Sequence, residues 1–201
     1  MAITNGYVTL SEVKAYLRIS DSVDDTMLEQ IVESASRSID RIANRRFYLD
    51  ADASARTYRL IGNLRVQVDD FGTTTGLVVK TDPDDSGVYQ TTFTLNSDYI
   101  VEPTNALAKG RPFTTITIVG GTAFSLPVNY RPQVEVTARW GWPSVPDDIV
   151  EATLILCADL YKRRDSVGGV LGLSELGAIR MSPLGRDIAA MVRAYRREFF
   201  A

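Results

Sequence analysis

The fold turns on residues 24–44, DDTMLEQIVESASRSIDRIAN. Met27, Leu28, Ile31, Val32, Ala35, Ile39, Ile42 and Ala43 recur at three- and four-residue spacing, so they form one apolar stripe down a long helix. Asp24 and Asp25 suit its positive start, and Arg41, Arg45 and Arg46 suit its negative end. The opposite face carries Glu29, Glu33, Arg37 and Arg41, with Glu33 and Arg37 spaced to pair across one turn. Such a face is either solvated or turned toward a second subunit.

Working outward, a shorter helix over 10–19 precedes this one. Its start is a capping box, Thr9-Leu10-Ser11-Glu12, and Val13, Tyr16 and Leu17 mark its buried side. A third helix over 146–164 opens on Pro146-Asp147-Asp148 and closes on Lys162-Arg163-Arg164. Ile149, Ala152, Leu156, Leu160 and Tyr161 are its expected core face. The glycine-rich stretch 165–182 reads as a long flexible loop, and a fourth helix over 183–197 follows a Ser182-Pro183 start, with Ile188, Met191, Val192 and Tyr195 inward.

Between the second and third helices the period changes to two. Residues 57–61, 64–68, 77–81, 92–95, 99–101, 115–119 and 134–138 read as short strands. Gly62-Asn63 suits a tight hairpin between the first two, and residues 102–113 suit an exposed loop. The expected fold is therefore α+β, a four-helix bundle (1–49 and 141–201) interrupted by a sandwich- or barrel-like β insertion (50–140).

Composition removes most chemistries. The chain of 201 residues has no histidine, which excludes Ser-His-Asp triads, Cys-His pairs and histidine-ligated metals. A single cysteine, Cys157, excludes an internal disulfide framework and a multi-cysteine zinc site. A net charge of −3 argues against general nucleic-acid binding. No segment reads as a membrane span or signal peptide, so a soluble cytoplasmic product is expected.

The remaining candidates are few. Asp82-Pro83-Asp84-Asp85-Ser86-Gly87 begins like a calcium loop, but Phe93 stands where its closing glutamate belongs, so a polar turn is expected. Asp69 and Asp70, with Asp82 and Asp84, are the carboxylates a histidine-free hydrolase would use, if they converged in a cleft. Trp140 and Trp142 flank Gly141 beside Arg139, either as a wedge between the two domains or as a stacking platform for a sugar or base. Lys162, Arg163 and Arg164, and Arg193, Arg196 and Arg197, form two small basic clusters at helix ends. Phe199 and Phe200 need a partner or a fold-back.

The helical segments resemble a known family. Residues 7–19 (YVTLSEVKAYLRI), 24–28 with 31–35, and Arg45-Arg46-Phe47 are similar to the opening of tailed-phage head–tail connector, or adaptor, proteins. Residues 145–149, Ala152 and 160–166 resemble that family's third helix, and Ala194-Tyr195-Arg196 its fourth. The strand-rich middle lies outside the family's minimal pattern. The resemblance implies a non-enzymatic ring of about twelve copies, without cofactor or metal, seated between the portal and the tail or its stopper protein. DNA would pass through it without sequence-specific binding. It implies a place at the virion's head–tail junction, reached from the host bacterial cytoplasm during assembly. It also implies that Arg193, Tyr195, Arg196, Arg197, Phe199 and Phe200 dock on the portal. Glu29, Glu33, Arg37, Arg41, Lys162, Arg163 and Arg164 become candidates for contacts between subunits. A neck or tail module whose β domain binds a glycan or partner protein is the alternative.

Overall fold

The computed structural model describes residues 3–60, 62–121, 123–124, 131–163, 170–174, 177–180 and 185–197. The chain forms two compact units, Met1–Arg46 with Val145–Ala201, and Phe47–Ser144.

The first unit holds four helices, α1 (Leu10–Leu17), α2 (Asp25–Ala43), α3 (Asp147–Arg163) and α4 (Gly185–Arg193). Each is shorter than its sequence pattern by two or more residues, and in α1 and α2 a left-handed cap residue stands at the C-terminal end. Thr9 and Glu12 close the capping box on α1: the Thr9 hydroxyl accepts from the Glu12 amide at 3.3 Å, and the Glu12 carboxylate accepts from the Thr9 amide at 2.7 Å. These bonds hold the Glu12 carboxyl below its ordinary range. At the other ends Arg18 and Asn44 turn left-handed, at φ 59° and 53°, and stop α1 and α2.

On α2 the buried residues are Leu28, Val32, Ala35, Ser36, Ile39 and Ala43. Each large apolar side chain removed from water there contributes roughly 1.5–3 kcal/mol. Ser36 belongs to the stripe because its hydroxyl donates to the Val32 carbonyl at 2.8 Å. The α2 stripe packs on α3, and Val8, Val13, Leu28, Val32, Ala35 and Cys157 share one core. Tyr161 donates to Asp24 at 2.6 Å, which sets the end of α3 beside the start of α2. The buried face of α3 centres on Ile149, Ala152, Thr153 and Cys157, while Leu156 and Leu160 pack at its margin. Burial pushes the Cys157 thiol up to about 12, so it is an inert core side chain.

The stretch after α3 contains regular structure. Val170–Ser174 (β8) and Gly177–Arg180 (β9) pair as an antiparallel hairpin, correcting the expected flexible loop. Gly172 lies inside β8 and Gly177 opens β9, so glycine content alone did not mark a loop. The Ser182-Pro183 start lies outside the described residues.

The second unit has seven strands in two antiparallel sheets. One runs β1 (Ser54–Tyr58), β7 (Val134–Ala138), β3 (Val78–Thr81), β4 (Thr91–Phe93), and the other β2 (Arg65–Phe71), β6 (Phe113–Ile118), β5 (Tyr99–Glu102). Among the described residues the sheets do not close into a barrel. Val66, Val68, Ile116 and Tyr99 from one sheet share a core with Val79, Val134, Val136 and Ala138 from the other. The expected hairpin at Gly62-Asn63 is absent: β1 pairs with β7, and β2 with β6. Local turn chemistry favoured the hairpin, but the link from β1 to β2 crosses between sheets so that each strand's apolar face meets the shared core. The stretch 102–113 is exposed over 103–105 and 107–111, as expected, around a short 3-10 turn at Leu107–Lys109 and a buried Ala106.

Trp140, Gly141 and Trp142 form a corner at the end of β7. Trp140 is fully buried, packs edge-on against Phe71, and donates its indole N–H to the Ser54 carbonyl at 2.8 Å. Trp142 stacks at 5.1 Å from Phe47 and donates to Asp70 at 3.2 Å. Gly141 sits at φ +113°, and a Cβ there would lie 1.8 Å from the Tyr48 carbonyl oxygen. Replacing Gly141 by Ala is expected to cost about 2 kcal/mol or more, read as a lowered melting temperature. Unchanged melting would mean that this corner relaxes freely.

Candidate assembly surface

The charged faces of the helical unit and its first and last described segments converge on α2. Its polar face is occupied by the chain's own N-terminal segment. The Glu33 carboxylate accepts from the Thr4 and Asn5 amides at 2.6 and 3.1 Å, and the Arg37 guanidinium donates to the Asn5 carbonyl at 2.7 Å. Tyr7 donates its amide N–H to the Ser36 hydroxyl at 3.1 Å and its phenol to Asp40, under the Arg37 guanidinium 5.6 Å from the ring centre. Gly6 makes this approach possible, because a Cβ there would meet Val32 and Ile3 side-chain carbons at 2.6 Å. Thus Glu33 and Arg37, read as a pair facing solvent or a neighbour, hold a segment of their own chain, and Arg37 pairs with Asp40 at 3.1 Å. The polar sequence of residues 4–6 carried no sign of this docking.

Of the other charged candidates, Glu29 is half-buried, and Arg41 is exposed with one bond to the Ser38 hydroxyl at 2.9 Å. Lys162 is exposed, and Arg163 is half-exposed while pairing with the buried Asp159 at 2.7 Å. Arg164 lies outside the described residues. At the C-terminal end, the Arg197 amide donates to the Ala43 carbonyl at 2.9 Å, and Asn44 donates to the Arg197 carbonyl at 3.4 Å. The Tyr195 phenol donates to Asp148 at 2.9 Å. Residues 195–197 are therefore anchored to the end of α2 and the start of α3, while Arg193 and Arg196 are exposed. Phe199 and Phe200 lie outside the described residues.

The carboxylate candidates are structural in their surroundings. Asp69 and Asp70 sit at a bulge in β2 that sends them to different partners. Asp69 accepts from Arg56 at 2.7 Å and from the Tyr58 phenol at 3.0 Å, and Arg56 lies over the Trp140 ring at 4.5 Å. Asp70 is buried against Trp142. Asp82 is buried in the turn between β3 and β4, accepting from the Ser86 and Gly87 amides at 3.1 and 2.6 Å. That is the polar turn, with the carboxylate bonded to backbone rather than turned to a cation. Among the described residues no three acidic or cysteine side chains are grouped to hold a metal ion, and no helix is long and apolar enough to cross a membrane. Trp140 and Trp142, at 0% and 2% exposure, offer no open ring face for a sugar or base.

Two outcomes follow from the α2 contacts. Glu33→Ala is expected to speed hydrogen exchange at the Thr4 and Asn5 amides at least tenfold while α2 stays protected; equal protection in the variant would show that the carboxylate does not hold the segment. Burial raises the Asp40 carboxyl, opposed by Tyr7 and by Arg37, Arg46 and Arg41. A carboxyl raised on folding favours the folded state while protonated, so its contribution falls as pH climbs through the carboxylate range. Asp40→Asn should remove that part of the slope in a pH series of unfolding curves.

The profile of the phage gp6-like head-tail connector protein family matches residues 7–69. No curated protein matches the chain. Among solved structures, a chain from the neck of an empty gene transfer agent particle, computed with C6 symmetry, aligns at TM-score 0.59 and 18% identity over 100% of this chain and 95% of that one. A chain from the neck of the native particle, computed with C12 symmetry, aligns at TM-score 0.56 and 17% identity over 100% and 94%. A chain of the native gene transfer agent virion aligns at 0.54 and 18% over 100% and 95%. These likenesses span the whole fold, so the strand-rich middle also has a counterpart in those chains. The family that the helical segments resemble is thus the one this chain matches over residues 7–69, the phage gp6-like head-tail connector proteins.

Proposed function

We propose that this chain is a structural subunit of the head–tail junction of a phage-like particle. The observation that carries the reading is the connector-family match over residues 7–69, joined to a whole-chain likeness to necks of gene transfer agent particles. The C6 and C12 symmetry of those necks supports a ring of identical copies, with twelve as the working number. Such a ring needs complementary faces and no catalytic group, and the histidine-free sequence accords with that.

In this reading the ring binds the portal on one side and a tail or stopper protein on the other, around the path of the DNA. Glu29, Arg41, Lys162 and Arg163 are the candidates for contacts between copies. The C-terminal segment engages the portal, with Phe199 and Phe200 as apolar anchors set just beyond the point where Tyr195 and Arg197 tie the chain to its own helices.

Mixing the purified chain with the portal ring of the same particle tests this. The expected product is a complex with one copy per portal subunit, seen by native mass spectrometry. No complex with an intact portal would end the proposal. Truncation after Arg197 should weaken docking at least tenfold with melting unchanged, since the anchoring bonds remain; equal affinity would remove the segment from the interface.

A further inference from the structure

The N-terminal segment does more than cover α2. With the first turn of α1 it encloses a surface cavity of about 490 Å³. Ile3, Val8 and Leu10 line the cavity with aliphatic carbon, and Thr4, Thr9 and Glu12 add polar atoms. Its walls are held in place. Glu33 takes the Thr4 and Asn5 amides, which fixes the segment on one side. On the other, one Glu12 oxygen takes the Thr9 amide and hydroxyl at 2.7 and 2.8 Å. A carboxylate has about four acceptor positions, so Glu12 keeps acceptor capacity beyond its capping bonds. Those bonds favour its ionised form. Among the described residues no cation pairs with Glu12. The cavity thus joins an aliphatic wall to an exposed negative charge with no counter-ion of its own.

We infer that this cavity receives an arginine or lysine side chain from a second copy of the chain. The inference rests on the reading of a ring of identical copies, and it names one side of the contact between them. Chemistry is the first argument. Arginine and lysine are the side chains with an aliphatic stem and a charged head. The stem fits against Ile3, Val8 and Leu10, and the head meets Glu12. The positive end of α1 opposes a cation with about half a charge at most, which the full charge of Glu12 outweighs. Charge complementarity is the second argument. A ring contact joins two dissimilar patches of the same chain, so a concave acidic seat calls for a protruding cation on that chain. The helical unit has exposed cations to supply it, Arg18, Arg41, Lys162, Arg193 and Arg196 among them. Because the seat is already formed, only the incoming side chain has to be ordered.

The test is native mass spectrometry of the full chain titrated onto the portal ring of the same particle, with two variants. Glu12→Gln removes the charge and keeps the capping box, because glutamine serves at that position. Thr4→Trp keeps the charge and fills the cavity, and the segment stays in place because Glu33 holds the Thr4 backbone. Melting curves show that both variants are folded. Below saturation the wild-type chain is expected to give filled rings beside empty ones, since each seated copy helps the next. Both variants should dock their first copy with wild-type affinity but give partly filled rings, with coupling between neighbours weaker by about fivefold or more. Cooperative filling by either variant overturns the inference, and so does random filling by the wild-type chain. A wild-type chain that never docks sinks the connector reading instead, and sedimentation velocity of the chain alone then judges the cavity. Self-association that weakens in both variants upholds it, and self-association that is absent or unchanged overturns it.

Discussion

The helical unit depends on the dry seam between α2 and α3. Leu28, Val32, Ala35, Ile39 and Ala43 are sealed from solvent along one side of α2, and Cys157 of α3 shares a core with the first three. Small residues in this stripe, Ala35, Ser36 and Ala43, let the neighbouring segments come close. Ser36 is the instructive member. Its hydroxyl donates back to the helix and accepts from Tyr7, so a polar atom is buried without an unpaired bond. The same helix turns its other side to the N-terminal segment and its end to the C-terminal one. Both chain ends of the helical unit are therefore positioned by a single element.

The β unit solves a different problem. Its two sheets bury one core, and the edges of β1 and β2 must be tied where no ladder joins them. Arg56, Asp69 and Tyr58 make that tie, under an indole that also holds Phe71. Burial and the Asp69 charge push the Tyr58 phenol well above its ordinary value, so it stays a hydrogen-bond donor at any ordinary pH. The tryptophans that could be taken for a binding platform belong to this same internal framework. Their indole N–H groups are spent on Ser54 and Asp70.

These internal commitments narrow what is left for partners. Glu33 and Arg37 are used within the chain, as are the Tyr195 phenol and the Arg197 backbone. Exposed charged residues of the helical unit include Arg41, Lys162, Arg193 and Arg196. A ring of identical copies can be built from such dissimilar faces, because heterologous contacts close when the rotation between copies divides a circle.

Helix positions, the capping box, the α2 stripe and the strands between α2 and α3 were legible in the amino-acid order, while β8 and β9 were not. They depend on periodicity and on caps a few residues long, and the connector resemblance rode on those same segments. Strand pairing was not legible. Gly62-Asn63 signals a hairpin by local chemistry, yet which strand β1 joins depends on burying a face that it shares with residues 80 positions away. The roles of Glu33, Arg37 and Trp140 escaped for the same reason, since a charge or an indole looks alike facing solvent or facing a distant backbone group. Sequence by itself determined the elements and their order, because those are set by near neighbours. Only the tertiary structure decided which charges are spent inside, because that is set by residues that folding alone brings together.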